Sequence, residues 1–187
     1  MILPPGLEVE CGLEVYASQS EPCAGRIKSM PEDFGVEEIM KPGELVGDRL
    51  PGYLPLYRVE KQDIDTFHLE RELAPLLKSR ITHAGVKDRR AKAIQYITPT
   101  SSRSKAPTVI EGEKYRLTLE GFVPRPLSRS AVSGNSFRVV IRGCGGEIEE
   151  RLGVVREMSE ARRVPNFFGL QRFGGGDAIT HRVGRAS

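Results

Sequence analysis

No apolar run in the sequence approaches the roughly 18–20 residues that a membrane-spanning helix needs. The first residues, Met1-Ile2-Leu3-Pro4-Pro5, have neither a basic leader nor an apolar stretch behind it, so no secretory signal is expected. Cysteine is scarce: Cys11, Cys23 and Cys144 are odd in number, far apart and without Cys-x-x-Cys spacing, which predicts free thiols and no disulfide framework. His68, His83 and His181 stand singly with no i,i+4 pair, so neither a structural nor a catalytic zinc site is expected. There is no Gly-x-x-x-x-Gly-Lys phosphate loop and no Gly-x-Ser-x-Gly elbow, and the glycines at 143, 145, 146 and 174–176 do not fit a dinucleotide fingerprint. Gly174-Gly175-Gly176-Asp177 reads as a flexible turn with a helix cap in preference to a phosphate cradle.

What is present is an ordinary globular composition, 39% hydrophobic and 28% charged over 187 residues, enough for one large domain with its own core. The expectation is a soluble, intracellular protein. The net charge of +3 hides a polarity. Residues 1–24 carry Glu8, Glu10, Glu14 and Glu21 and no Lys or Arg, so the rest of the chain carries +7. Cations concentrate at residues 78–92 (Lys78, Arg80, Lys87, Arg89, Arg90, Lys92), at 125–142 (Arg125, Arg129, Arg138, Arg142, with no acid) and near the C-terminus. If these converge they form an electropositive surface suited to nucleic acid; scattered, they only keep the protein soluble.

Segment 1–24 reads as an acidic, irregular lead-in. Phe34, Val36 and Ile39 sit close to strand spacing, and residues 56–61 alternate Tyr57 and Val59 against Arg58 and Glu60. Asp65-Thr66 caps a helix bearing Phe67, Leu69, Leu73, Leu76 and Leu77, which Pro75 should kink or split. Residues 81–98 read as strand, tight basic turn and strand; 99–109, rich in Pro, Ser and Thr, as a loop. Strands are expected at Tyr115–Leu119 and Phe137–Ile141, a helix over 147–163 with Ile148, Leu152, Val155 and Met158 on one face, and a last helix from Asp177 without a C-cap. The fold class that follows is α+β: a mixed, largely antiparallel sheet with flanking helices.

The turn Ala84-Gly85-Val86-Lys87-Asp88-Arg89-Arg90-Ala91 sets one carboxylate among three cations. Opposite charges favour the ionised form, which suits a nucleophile or an electrostatic stabiliser better than a proton donor. The cations would hold a phosphate backbone without reading its sequence. A plain surface salt-bridge turn has the same composition.

Five segments in order widen the choice: Arg26-Ile27-Lys28; Pro31-Glu32-Asp33-Phe34-Gly35-Val36-Glu37-Glu38; Gly85 to Ala91; Gly134-Asn135-Ser136-Phe137; and Val164-Pro165-Asn166-Phe167-Phe168-Gly169-Leu170-Gln171-Arg172-Phe173-Gly174. This series resembles the TruD family of tRNA pseudouridine synthases, from about Arg26 to Arg185. The resemblance implies a pseudouridine-synthase-like catalytic domain and a cofactor-free, metal-free isomerase acting on a uridine of tRNA, typically uridine 13 of the D arm. The bond from uracil N1 to ribose breaks, the base turns, and a bond from C5 forms.

The family's catalytic aspartate falls on Asp88. Phe34 resembles the phenylalanine lining the uridine site, and Asn135 the asparagine that holds the aspartate or the substrate. Phe137 resembles an aromatic of the site, although its alternating strand also suits a core residue. Lys28 matches a motif lysine that approaches the aspartate or a phosphate. Lys87, Arg89, Arg90 and Arg172 are candidates for the RNA backbone, with Arg172 in a stretch that equally suits scaffold. The sequence departs from the family in carrying Ala93 where a threonine is frequent, while Gln95 is kept. Family members continue beyond this length with an inserted second domain and returning strands, so residues 25–187 are expected to be the N-terminal portion of an incomplete catalytic domain, after the segment 1–24. The partner implied is tRNA, the location the cytoplasm, the state a monomer without membrane contact. The alternative is a truncated, non-catalytic RNA-binding fragment.

Overall fold

The computed structural model describes residues 6–16, 24–44, 48–101, 106–145 and 148–161. The chain divides into two compact units, one spanning Arg26–Arg142 and the other residues 1–25 with 143–187. Element order is α1 (Gly6–Glu10), β1 (Phe34–Met40), β2 (Leu54–Lys61), α2 (Thr66–Leu77), β3 (Ile81–His83), β4 (Lys92–Pro99), β5 (Val109–Gly112), β6 (Tyr115–Val123), β7 (Val132–Val139) and α3 (Ile148–Glu160). No helix among the described residues is long and apolar enough to cross a membrane.

The Arg26–Arg142 unit is built on one open sheet ordered β5-β6-β2-β4-β1-β7, with β3 also on β4. Among the described residues only β1 and β4 run parallel, and every other strand pairing is antiparallel. This is the expected α+β architecture. Period-2 patterning places Tyr57, Val59, Ile97 and Leu117 in one core with Leu69 and Leu73 of α2, all fully buried. A second core gathers Leu54, Leu56, Val123, Leu127 and Ala131. Gly112 has no room for a side chain, because a Cβ there would lie 2.4 Å from the Tyr115 ring that closes over the β5–β6 turn.

Asp65 caps α2, its carboxylate accepting the His68 N–H at 2.9 Å. Pro75 does not split the helix in two, since α2 runs as one element from Thr66 to Leu77. It lies in the last turn, where its missing N–H removes one bond just before Lys78 ends the helix in left-handed geometry (φ 50°). Other expectations also shift. Segment 1–24 contains the single helical turn α1, and β7 begins earlier than its apolar alternation suggests, ending at Val139 before Ile141. The apolar positions of α3 are not buried: Leu152 and Val155 are exposed. The Asp177 helix and residues 162–187, Arg172 included, lie outside the described residues.

Two strands share one edge of β4. On that edge β1 pairs with Lys92–Ile94, and β3 with Ile97–Pro99. The loop 84–91, which carries Asp88, leaves β3 and returns to β4 at this junction.

A half-buried ion pair anchors the entrance to β1. Asp33, 1% exposed, takes the Arg142 guanidinium on both oxygens at 2.7–2.9 Å and accepts the Met30 N–H at 3.1 Å. The Arg142 hydrogen bonds hold the Asp33 pKa below the ordinary carboxylate value. A depressed carboxylate pKa adds stability that is present above the unfolded value, about 3.9 for Asp, and is lost as pH falls through the folded one. Arg142→Ala is therefore expected to lower the melting temperature most at pH 7. The gap to the parent should narrow in melts taken below about pH 4.

Candidate active site

The Asp88 side chain is 68% exposed, and its Oδ2 accepts from Lys28 Nζ at 3.0 Å. Lys28 comes from sixty residues earlier, in left-handed geometry (φ 56°), and its ammonium lies 4.2 Å from the centre of the Phe34 ring. Phe34 in turn meets Phe137 with ring centres 6.1 Å apart and planes tilted by 59°. Antiparallel pairing of β1 with β7 produces this meeting: Phe137 stands opposite Val36, and Asn135 opposite Glu38. Asn135 thus shares the face of Phe137, but it makes no hydrogen bond to Asp88. Phe137 is 61% exposed, so its strand alternation does not make it a core residue. Asp88, Lys28, Phe34 and Phe137 form one contiguous run of carboxylate, ammonium and two rings.

None of the three cations beside Asp88 in sequence is the one that pairs with it. Lys87, a sequence candidate for the RNA backbone, is instead found paired beneath the loop. It is 7% exposed, with Nζ 2.5 Å from Glu38 Oε1, because the chain reverses at the β3–β4 junction and turns this side chain inward. Arg89 is exposed but bound through Nε to Asp63 Oδ1 at 3.0 Å, and Lys114 also approaches Asp63. Arg90 is exposed with no partner among the described residues. In the second basic stretch, Arg142 is committed to Asp33 and Arg125 to Glu44. The electropositive surface is therefore smaller than the sequence suggests.

Beneath the loop lies a polar network. Glu38 Oε2 accepts the Tyr96 N–H at 2.8 Å, filling the gap on β4 between the reach of β1 and that of β3. The Lys87 N–H donates to Thr66 Oγ1 at 2.9 Å, and that hydroxyl donates to Gln95 Oε1 at 3.0 Å. Lys61 Nζ, also buried, donates to backbone carbonyls at the loop and at the start of α2. Lys61 and Glu38 were not among the sequence candidates, yet the signal was there: Lys61 shares strand parity with Tyr57 and Val59, and Glu38 with Phe34 and Val36. A charged residue at an inward position of a strand requires a partner.

Beside Arg89 a cavity of about 300 Å³ is lined by Asp63, Asp65, His68, Glu72 and Lys114, mixing both signs of charge. Among the described residues no three His, Cys, Asp or Glu side chains are placed to hold a metal ion.

Removing one partner of the Glu38–Lys87 pair leaves a buried charge uncompensated. Glu38→Ala is expected to destabilise the fold by about 3–5 kcal/mol in denaturant unfolding, and Glu38→Leu with Lys87→Met to recover part of that loss.

The sequence model of the family described as tRNA pseudouridine synthase D (TruD) matches residues 10–186. A protein of Archaeoglobus fulgidus named probable tRNA pseudouridine synthase D is 34% identical over 96% of this chain and 43% of its own length. One of the same name from Methanococcoides burtonii is 31% identical over 97% of this chain and 42% of its own. A crystal structure from Methanosarcina mazei, described as a tRNA pseudouridine synthase D, superposes with a TM-score of 0.82 at 31% identity, covering 100% of this chain and 43% of that one. The chain spans a little under half the length of these relatives.

Proposed function

The chain belongs to the tRNA pseudouridine synthase D (TruD) family, and we propose that it carries the catalytic carboxylate, Asp88, of an isomerase that converts a uridine of tRNA to pseudouridine. The observation that carries this reading is the open Asp88 carboxylate, held by Lys28 beside the Phe34–Phe137 pair. The reaction breaks the bond from N1 to the ribose and forms one from C5. C5 gives up a proton and N1 takes one, so atoms balance without a redox or group-transfer partner, and we propose a cofactor-free reaction.

The target uridine, uridine 13 of the D arm by family membership, must leave its stack at a cost of a few kcal/mol. Stacking on an aromatic face returns ~1–3 kcal/mol. Phe137, the more exposed ring, offers that face; Asn135 beside it supplies amide groups for the edge of the base. Lys28 holds Asp88 toward the rings, and Arg90, with Arg89 where it can leave Asp63, meets the phosphates. In this reading the protein acts on tRNA as a monomer in the cytoplasm.

The test is pseudouridine formation in an unmodified tRNA transcript, mapped at nucleotide resolution. Asp88→Asn is expected to cut turnover ~10²–10⁴-fold. Product from neither protein, with salt-sensitive tRNA binding intact, would instead establish an RNA-binding role. Salt dependence separates the cations: Arg90→Gln should reduce the slope of log K against log salt by about 1. Arg89→Gln should reduce it less, since Asp63 already neutralises Arg89.

A further inference from the structure

We infer that Lys61 is a positioning residue for Asp88: its buried ammonium holds the two peptide carbonyls on either side of Asp88 and so fixes the backbone from which the carboxylate projects. This rests on the reading of Asp88 as the reacting group. Lys61 Nζ donates to Lys87 O and to Asp88 O, each at 3.2 Å, and to Ile64 O at 2.6 Å. The first oxygen belongs to the peptide plane before the Asp88 Cα and the second to the plane after it. With both tied to one nitrogen, rotation about either backbone bond of Asp88 pulls a carbonyl off its donor. The nitrogen is itself held, because Lys61 ends β2 in the middle of the sheet, opposite Ala93 on β4 and Tyr115 on β6. Ile64 O fastens it to the turn that starts α2.

The outer end of Asp88 has no comparable restraint. Its carboxylate is mostly exposed, and its hydrogen-bond and ion-pair partner among the described residues is Lys28. Fixing an exposed side chain therefore falls to its backbone. Three acceptors converging on one buried atom call for three donors, which a protonated lysine supplies and a neutral amine, with two hydrogens, does not. Loss of the proton leaves one carbonyl facing a lone pair. The charged groups around Lys61 are Asp65 at the head of α2 and Asp88, which favour its charge, and Lys87, which opposes it; burial outweighs them and lowers its pKa to about 8.

The test uses the full chain labelled with ¹⁵N. A hydrogen bond to a carbonyl shifts the nitrogen of the same peptide, so the Asp88 and Arg89 amides should titrate together with one midpoint near pH 8. In Lys61→Met both titrations should vanish. On tRNA, that variant should lose kcat about 100-fold while KM stays within about twofold, as expected when a reacting group is displaced without loss of binding. In the parent, kcat should fall with the midpoint shown by the amides. The inference is overturned if the two amides share no titration, or if a folded Lys61→Met keeps full kcat. Should that variant not fold, the amide titration of the parent decides alone. Should the parent turn over no tRNA, the proposed function fails, and the amide titration still supports or overturns the placing of the loop by Lys61.

Discussion

The Asp88 loop depends on how the fold accommodates two lysine ammonium groups, Lys61 and Lys87, at 2% and 7% exposure. Taking an ion out of water costs several kcal/mol even after the surroundings relax, so each must be met by designed partners. The two are met differently. Lys87 has a countercharge, Glu38; Lys61 has three carbonyl dipoles and no carboxylate within hydrogen-bonding distance. Glu38 has a second duty on Tyr96, in the two-residue gap of the β4 edge that neither β1 nor β3 covers. A single carboxylate thus completes the sheet and neutralises the cation under the loop, which couples the strand order to the position of Asp88.

The outer side of the loop is held by another device. Of the three described non-glycine residues with positive φ, Lys78 ends a helix, while Lys28 and Asp63 grip the loop through Asp88 and Arg89. Left-handed geometry costs a non-glycine residue of order 1–3 kcal/mol. Exposed ion pairs of this kind contribute about 0–1 kcal/mol each, so they do not by themselves offset the strain. The surrounding fold imposes the conformation, and the ion pairs take advantage of it. Strain of this sort on both flanks of one exposed carboxylate is the pattern of a site in which geometry is held at the expense of stability.

Much of this was legible in the chain. Period-2 alternation located β1, β2 and β6, and Asp65-Thr66 located the start of α2, because burial of one face writes a pattern into neighbouring residues. Ordered motifs pointed to Asp88, Lys28, Phe34 and Phe137, and the structure brings these four together. Alternation tells which face a residue occupies and not whether that face is covered, which is why Phe137 stood open between core and site until β7 proved to be an edge strand. The effect of Pro75 turned on where the helix stops, a matter settled by the cap at Lys78.

Charge shows the same division most plainly. The sequence by itself determined the sign and density of charge around Asp88, the strands flanking it and the inward parity of Lys61 and Glu38. Only the tertiary structure decided who pairs with whom. Lys87 turns in to Glu38, Arg89 turns aside to Asp63, and the cation on Asp88 arrives from sixty residues away. The physical reason is that an ion pair depends on distance in space and on access to water. Neighbours along a reversing loop diverge to opposite sides of it, whereas the sheet register brings Lys28 and Asp88 within 3.0 Å.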